Sequence, residues 1–316
     1  MGLDAPHWVT LNVANVYGEP SAAGERVTQA LMGARAAVAQ RRDGFCRVTL
    51  EDRYEGWIAE QHLQPAWDDS DYFPTSIATL FADLYPQPNG AGEPITKLSV
   101  GTRVLIARRP TVDDWAPLLL PDRAVGYTHQ ISLNMTHEGT VTGPDLLDQK
   151  ARRALDVSDL KRQVLAAVGA QAARVALRFI GTPYLWGGAS AFGLDCSGLA
   201  QMAYKLSGIQ LLRDADLQWR DRRFTRVEPG AAFGESDLAA GDLVVFSKPS
   251  PSPPEAAGDE RRATHVGLAL GDGRFIHASG RRGGVYIDSC ESETYGSTYL
   301  GAVRASADAD LAVEAA

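Results

Sequence analysis

The chain has 316 residues, 45 % of them hydrophobic, and a formal net charge of −8. That length holds enough core for two or three domains, and the acidic balance argues against nucleic acid or an anionic membrane as partner, since both select basic faces. Three cysteines (Cys46, Cys196, Cys290) are too few, and odd in number, for a disulfide framework. No apolar run reaches the roughly 18 residues of a membrane span. The first residues, MGLDAPHWVT, carry neither a basic n-region nor an apolar h-region. The expected location is the cytoplasm, or outside the cell if a leader has been trimmed.

Residues 1–66 read as a small all-β domain. Val9, Leu11 and Val13 alternate, Phe45 to Leu50 forms another strand, and Gly56-Trp57-Ile58 a third. Gly18-Glu19-Pro20, Gly24 and Asp43-Gly44 supply turns between them, and Cys46 falls on a strand as a core residue. Residues 67–143 repeat the pattern less clearly, through Leu80-Phe81, Val104-Leu105-Ile106 and Val125-Gly126-Tyr127. Gly126-Tyr127 would match Gly56-Trp57, giving an internal repeat of about 70 residues. Residues 144–168 predict a charged linker helix, capped by Ser158, with Leu160, Val164, Leu165 and Val168 on one face. Its run Lys150 to Arg153 reads as a solvated face. A second helix is expected from Ala170 to Ile180, stopped by Gly181-Thr182-Pro183.

The next stretch is the most informative. A glycine-rich loop (Gly187, Gly188, Gly193) leads to Asp195-Cys196-Ser197, then Leu199, Met202, Ala203 and Leu206 recur at helical spacing until Gly208. Cys196 therefore stands at a helix N-terminus, where the dipole and unpaired N–H groups favour a thiolate and are expected to lower its pKa. The alternative is a cysteine packed as a small hydrophobe. Downstream, LLRDADLQWRD is rich in charge, and Leu243 to Phe246 reads as a strand. SKPSPSPPEAAGDERRA predicts a long surface loop over 247–264, either an inert insertion or a cover for a cleft. Val266, Leu268 and Leu270 alternate, Gly271-Asp272-Gly273 turns, and Phe275-Ile276 begins the return strand. That hairpin brings His265 and His277 near each other. A cysteine nucleophile needs a base, and the base needs an orienting group; Cys196, His265 and His277 can fill those roles in that order. No C-x-x-C or H-x-x-x-H spacing points to a metal, and no cofactor is expected. Val285, Ile287 and Cys290 lead to a closing strand, Tyr299 to Val303, and residues 307–316 read as a frayed tail.

The blocks TPYLWGG, LDCSGL, GDLVVF, THVGLAL and FIHAS resemble the motif series of the NlpC/P60 family, papain-like cysteine peptidases of bacterial cell-wall peptides. The resemblance covers about 140 residues, and its peptidase domain would span 169–306. NVYGEPSAAGERVTQALMG and YEGWIAEQHL resemble a bacterial SH3-like domain, and LFADLYPQPNG with DDWAPLLLPDRAVGYTHQISL a degenerate second copy. The implied fold class is α+β, a papain-like catalytic domain preceded by two small SH3-like β-barrels. The resemblance implies Cys196 as nucleophile, His265 as base and His277 as orienting residue. It also implies Tyr184, Trp186, Asp195 and Ser197 at the oxyanion and substrate positions, and Arg213 and Asp214 at the cleft edge.

Family members with this domain arrangement trim freed murein peptides that carry an unblocked N-terminal L-alanine, cutting between γ-D-glutamate and a diamino acid. Glu19, Tyr54 and Asp195 are carried over as partners of that amine. Glu19 as an ordinary turn residue and Tyr54 as a packing aromatic remain open. The expected partner is therefore a murein-derived peptide, with no nucleic acid and no membrane span. Two other readings stand beside it: an exported hydrolase of intact wall anchored by its SH3-like domains, and a non-catalytic wall-peptide binding module.

Overall fold

A computed structural model describes residues 6–107, 109, 111–134, 157–227, 238–247 and 262–306. Most of the 247–264 loop, the tail 307–316 and the linker before residue 157 lie outside the described residues, as do the Ser158 and Leu160 side chains. The chain divides into two compact units, one formed by residues up to 140 together with Trp186–Gly193, the other by the remainder.

The first unit opens with seven strands: β1 (Pro6–Val9), β2 (Val13–Tyr17), β3 (Arg26–Leu31), β4 (Arg35–Arg42), β5 (Phe45–Leu50), β6 (Glu55–Ala59) and β7 (Leu63–Pro65). They form one antiparallel sheet in the order β3-β2-β6-β5-β4-β1-β7. Alternate residues point inward, so Ala14, Val16, Ala36, Val38, Cys46 and Val48 make one core. Asp43 and Gly44, both at positive φ, close the β4–β5 hairpin.

A second set follows: β8 (Phe73–Ser76), β9 (Phe81–Leu84), β10 (Thr96–Ser99), β11 (Arg103–Ile106), β12 (Trp115–Leu119) and β13 (Val125–His129). Four of these form the sheet β13-β12-β11-β8, and β9 pairs with β10. Ile77, Leu84, Leu98, Val104, Leu118 and Leu133 fill its core. The two sets share a device. Tyr17 pairs with Trp57, and Tyr85 with Tyr127. In each case the preceding glycine admits a crossing strand: a Cβ on Gly56 would lie 2.5 Å from Val16 Cγ1, and one on Gly126 2.7 Å from Leu84 Cγ. A single 3₁₀ turn then follows each, Glu60–His62 before Leu63 and Gln130–Ser132 before Leu133. The first unit also takes in the segment Trp186–Gly193, which carries β14 (Ala189–Ser190) and the start of β15 (Gly193–Leu194).

The second unit begins with α1 (Val157–Leu177). This corrects the expectation of two helices meeting near residue 169. The sequence here is alanine-rich, and one interior glycine costs only about 1 kcal/mol of helix propensity. Gly169 is also where the turn at Ala240 comes close, since a Cβ there would lie 3.3 Å from the Ala240 carbonyl oxygen. Next come α2 (Cys196–Lys205), α3 (Ala215–Arg220), β16 (Phe224–Val227), β17 (Leu243–Ser247), β18 (Ala263–Ala269), β19 (Arg274–Ser279), β20 (Gly284–Ser289), α4 (Glu293–Gly296) and β21 (Tyr299–Ala305). The strands form an antiparallel sheet in the order β16-β21-β17-β18-β19-β20. Strand β17 is buried along its whole length, which accounts for its unbroken apolar run. Helix α2 packs against α1 and against β18, bringing the cysteine end of one to the histidine strand of the other.

Candidate active site

Cys196 is the first residue of α2, and Asp195 is its N-cap: the carboxylate Oδ1 accepts from the Gly198 N–H at 2.7 Å. Aspartate is among the best residues for this position because its oxygen satisfies one of the four unpaired N–H groups at a helix start. The Val266 and Ser197 backbone N–H groups both point at the Cys196 sulfur. Val266 follows His265 directly, so that contact fixes the thiol beside the base.

The histidine pair follows from register. Leu268 pairs with Ile276 across β18 and β19, and continuing that ladder sets Gly267 opposite His277. His265 and His277 are then diagonal neighbours on one face, a spacing side chains readily bridge. Gly267 leaves room for this: a Cβ there would lie 3.2 Å from His277 Cβ and 2.8 Å from the Phe275 ring. His265 Nε2 comes to 2.6 Å from His277 Nδ1, which leaves His265 Nδ1 for the thiol.

Burial pushes the Cys196 thiol up to about 12, helped by the Asp195 carboxylate and opposed by the two N–H groups and Arg213. This corrects the expectation of a lowered pKa. The helix end does favour a thiolate, but loss of water around the sulfur outweighs it. Burial also pulls His265 down to about 4, with Asp195 acting the other way, and His277 down to about 2. Each charge is disfavoured alone. Formed together by proton transfer from Sγ to Nδ1, they attract each other in the same poorly solvated site.

Beneath the nucleophile lies a buried ion pair. Arg213, 1 % exposed, donates from Nη1 to Asp195 Oδ1 (3.0 Å) and from Nη2 to Oδ2 (2.6 Å), a bidentate fit. Its Nη1 also donates to Ser197 Oγ at 2.8 Å. Ser197 is therefore buried within this network. Tyr184 is half-buried, and burial, with the nearby Cys196 and Asp195, raises its pKa to about 12, keeping its hydroxyl a donor. Asp214 stands at the N-cap of α3.

The structure thus gathers Cys196, His265, His277, Tyr184, Asp195, Ser197 and Arg213 in the second unit. Asp214 lies in the same unit, and the remaining sequence candidates, Trp186, Glu19 and Tyr54, lie in the first. Trp186 is exposed and its indole Nε1 donates to Glu25 at 2.8 Å. Glu19 is exposed in the turn after β2, and Tyr54 is half-buried before β6. Continuing the Tyr17–Trp57 pairing brings those two turns to one end of that sheet. Sequence reasoning missed the residues that hold the 186–193 segment. Arg26 Nε donates to the Trp186 carbonyl (2.8 Å), Gln29 Oε1 accepts from the Ala189 N–H (3.1 Å), and Ser99 Oγ accepts from the Ala191 N–H (3.0 Å). It also missed the ring of aromatics around the histidines, Phe246, Phe275, Tyr286 and Tyr295. Sequence patterning marks these only as ordinary strand or helix residues.

Comparison with known proteins gives the following. The NlpC/P60 family model matches residues 181–304, and the model of the bacterial dipeptidyl-peptidase SH3 domain matches 16–63. The chain is similar to the γ-D-glutamyl-L-lysine dipeptidyl-peptidase of Bacillus cereus, 27 % identical over 290 residues, covering 88 % of this chain and 74 % of that protein. It is similar to dipeptidyl-peptidase 6 of Lysinibacillus sphaericus, 26 % identical, covering 89 % and 90 %. Its likeness to the murein DD-endopeptidase MepH of Escherichia coli, 35 % identical, covers only 40 % of this chain and 41 % of that protein. A crystal structure of an NlpC/P60 family protein from Bacillus cereus superposes with a TM-score of 0.71 at 20 % identity, over 95 % of this chain and 99 % of that one. It shares the fold: an SH3-like β-rich region before a papain-like NlpC/P60 domain.

Proposed function

We propose that this chain, whose residues 181–304 match the NlpC/P60 family and whose residues 16–63 match the bacterial dipeptidyl-peptidase SH3 domain, is a cysteine endopeptidase of peptidoglycan stem peptides. It cuts between γ-D-glutamate and the following diamino acid and requires a free N-terminal L-alanine. The observation that carries the chemistry is the 2.6 Å His265–His277 contact behind a cysteine at a helix start.

Proton transfer from Cys196 Sγ to His265 Nδ1 gives the thiolate and imidazolium. The sulfur adds to the γ-carbonyl carbon of D-glutamate, and the carbonyl oxygen takes the negative charge. The Cys196 backbone N–H and the Tyr184 hydroxyl receive it, donors of a kind each worth about 2.7–4 kcal/mol. As the C–N bond breaks, His265 returns its proton to the leaving amine of the diamino acid. Water, deprotonated by the freed imidazole, opens the thioester and releases L-Ala-γ-D-Glu, restoring thiol and neutral histidine.

The substrate reading is supported by the two relatives aligned over most of both chains, since both are named dipeptidyl-peptidases. The murein DD-endopeptidase matches less than half of the chain. Asp195, beside the nucleophile, is the group proposed for the peptide's ammonium. The test is a pair of peptides, L-Ala-γ-D-Glu-L-Lys with a free amine and the same peptide N-acetylated, read by mass. Cleavage of the free one alone is expected. Equal cleavage of both would put the wall-hydrolase reading ahead. The diaminopimelate analogue, run alongside, sets the preference for the third residue.

A further inference from the structure

His277 has two ring nitrogens, and only one is accounted for. Nδ1 faces His265. Nε2 is buried and, among the described residues, has no hydrogen-bond partner. Aromatic rings surround it. Tyr286, directly across the β19–β20 ladder, has its ring centroid 4.5 Å from that of His277, tilted by 58°. Phe275 lies at 4.8 Å and Tyr295 at 5.1 Å, the latter edge-on at 85°. The tyrosine hydroxyls are engaged elsewhere: those of Tyr286 and Tyr295 pair at 3.1 Å, and Tyr295 also meets the Ser279 side chain. What the cage offers His277 is therefore its rings and not its hydroxyls.

We propose that the Tyr286, Tyr295 and Phe275 rings select the tautomer of His277, placing its proton on Nε2 and so leaving His265 a bare Nδ1 to receive the thiol proton. An aromatic face is negative, so it attracts an N–H edge and repels a nitrogen lone pair. With the proton on Nε2, His277 Nδ1 can only accept. The proton between the two rings then belongs to His265 Nε2, and the neutral His265 has no proton on Nδ1. The opposite tautomer of His277 would donate to His265 Nε2, move the His265 proton to Nδ1 and block it as a base. Burial, the nearby His265 and the Arg282 charge all hold His277 neutral, so the choice is between tautomers and no net charge is involved. Tyr286 acts here as a positioning residue, through His277.

This rests on the reading of Cys196 and His265 as nucleophile and base, and is tested without substrate. Two-bond proton–nitrogen correlation spectra of histidine-labelled full-length protein report which nitrogen of His277 carries the proton. Protonated Nε2 is expected in the wild type; protonated Nδ1 there overturns the proposal whatever the variants do. Tyr286→Leu should raise the share of the Nδ1-protonated form about two- to fivefold, since an N–H···π contact is worth about 0.5–1 kcal/mol at 1.36 kcal/mol per tenfold. Tyr286→Phe, which keeps the ring, should restore the wild-type ratio. A ratio unmoved by Tyr286→Leu also overturns it. A failure to cut the peptide is a separate result and counts against the substrate reading alone.

Discussion

The nucleophile and the base are held in opposite ways. Cys196 rests on charge: a capping carboxylate, a buried guanidinium and a serine joined by hydrogen bonds of 2.6–3.0 Å. His265 and His277 rest on rings, with Phe246, Phe275, Tyr286 and Tyr295 around them. The difference fits the tasks. The helix start must keep a fixed orientation while a negative charge comes and goes beside it, and a paired ion network is rigid without adding net charge. The base must stay neutral until the thiol gives up its proton, and an apolar aromatic setting penalises early protonation.

The largest effects come from the reacting groups themselves. Cys196→Ala should abolish cleavage of the free-amine peptide while leaving the fold intact by circular dichroism. His265→Ala should lower kcat by about 10²–10⁴-fold, the range for a general base. Its pH dependence sharpens the contrast. His265 must be neutral to act, so activity should hold as pH falls until close to pH 4 and then drop. Above about pH 8 the peptide's own α-amine loses its proton, and kcat/KM should decline there for a reason that belongs to the substrate. An acid limb near the ordinary histidine value of 6.5 would show that the rings do not desolvate the base.

Stability should divide along the same line. Removing one partner of a buried ion pair costs about 3–5 kcal/mol, whereas removing both is far milder. Arg213→Met should therefore destabilise strongly in urea, and Asp195→Asn combined with Arg213→Met should recover much of the loss, since asparagine can still cap α2. A double variant as unstable as the single would mean that Arg213 acts by packing. The cysteine adds a pH signature. Its folded pKa lies above its unfolded value, so its contribution is full below about pH 9 and is lost as pH rises toward about 12. Wild type should lose more stability than Cys196→Ala across that window.

Much of the site could be read from local pattern. Aspartate before an apolar helical run announces a cap, Gly271-Asp272-Gly273 announces a hairpin, and two histidines on its strands follow by counting. Gly56-Trp57 and Gly126-Tyr127 were legible as a matching pair, and each glycine admits a crossing strand. What pattern could not give was anything set by burial or by distant partners. The thiol pKa depends on how much water the folded site excludes. Gly169 sits inside helix α1, where a turn some seventy residues later comes close to it. The aromatic cage draws on β17, β19, β20 and α4, whose rings look in sequence like ordinary strand or helix residues.

The segment running toward Cys196 is the sharpest case, and it gives the smallest effect expected. Trp186–Gly193 belongs to the first unit, held by partners up to 161 positions away in sequence. Gln29 is the centre of that hold. Its Oε1 accepts from the Ala189 N–H and from Ser190 Oγ, both at 3.1 Å, while its Nε2 donates to Asn15 at 3.0 Å. Gln29→Leu would leave the buried Ala189 N–H without an acceptor, at about 1–3 kcal/mol. Gln29→Glu would keep the acceptor and lose only the donation to Asn15. Hydrogen exchange at the Ala189 amide should therefore accelerate in the leucine variant and stay slow in the glutamate variant. Equal protection in all three proteins would show that the segment holds its shape by its own turns, and that the first unit merely lies along it in the chain.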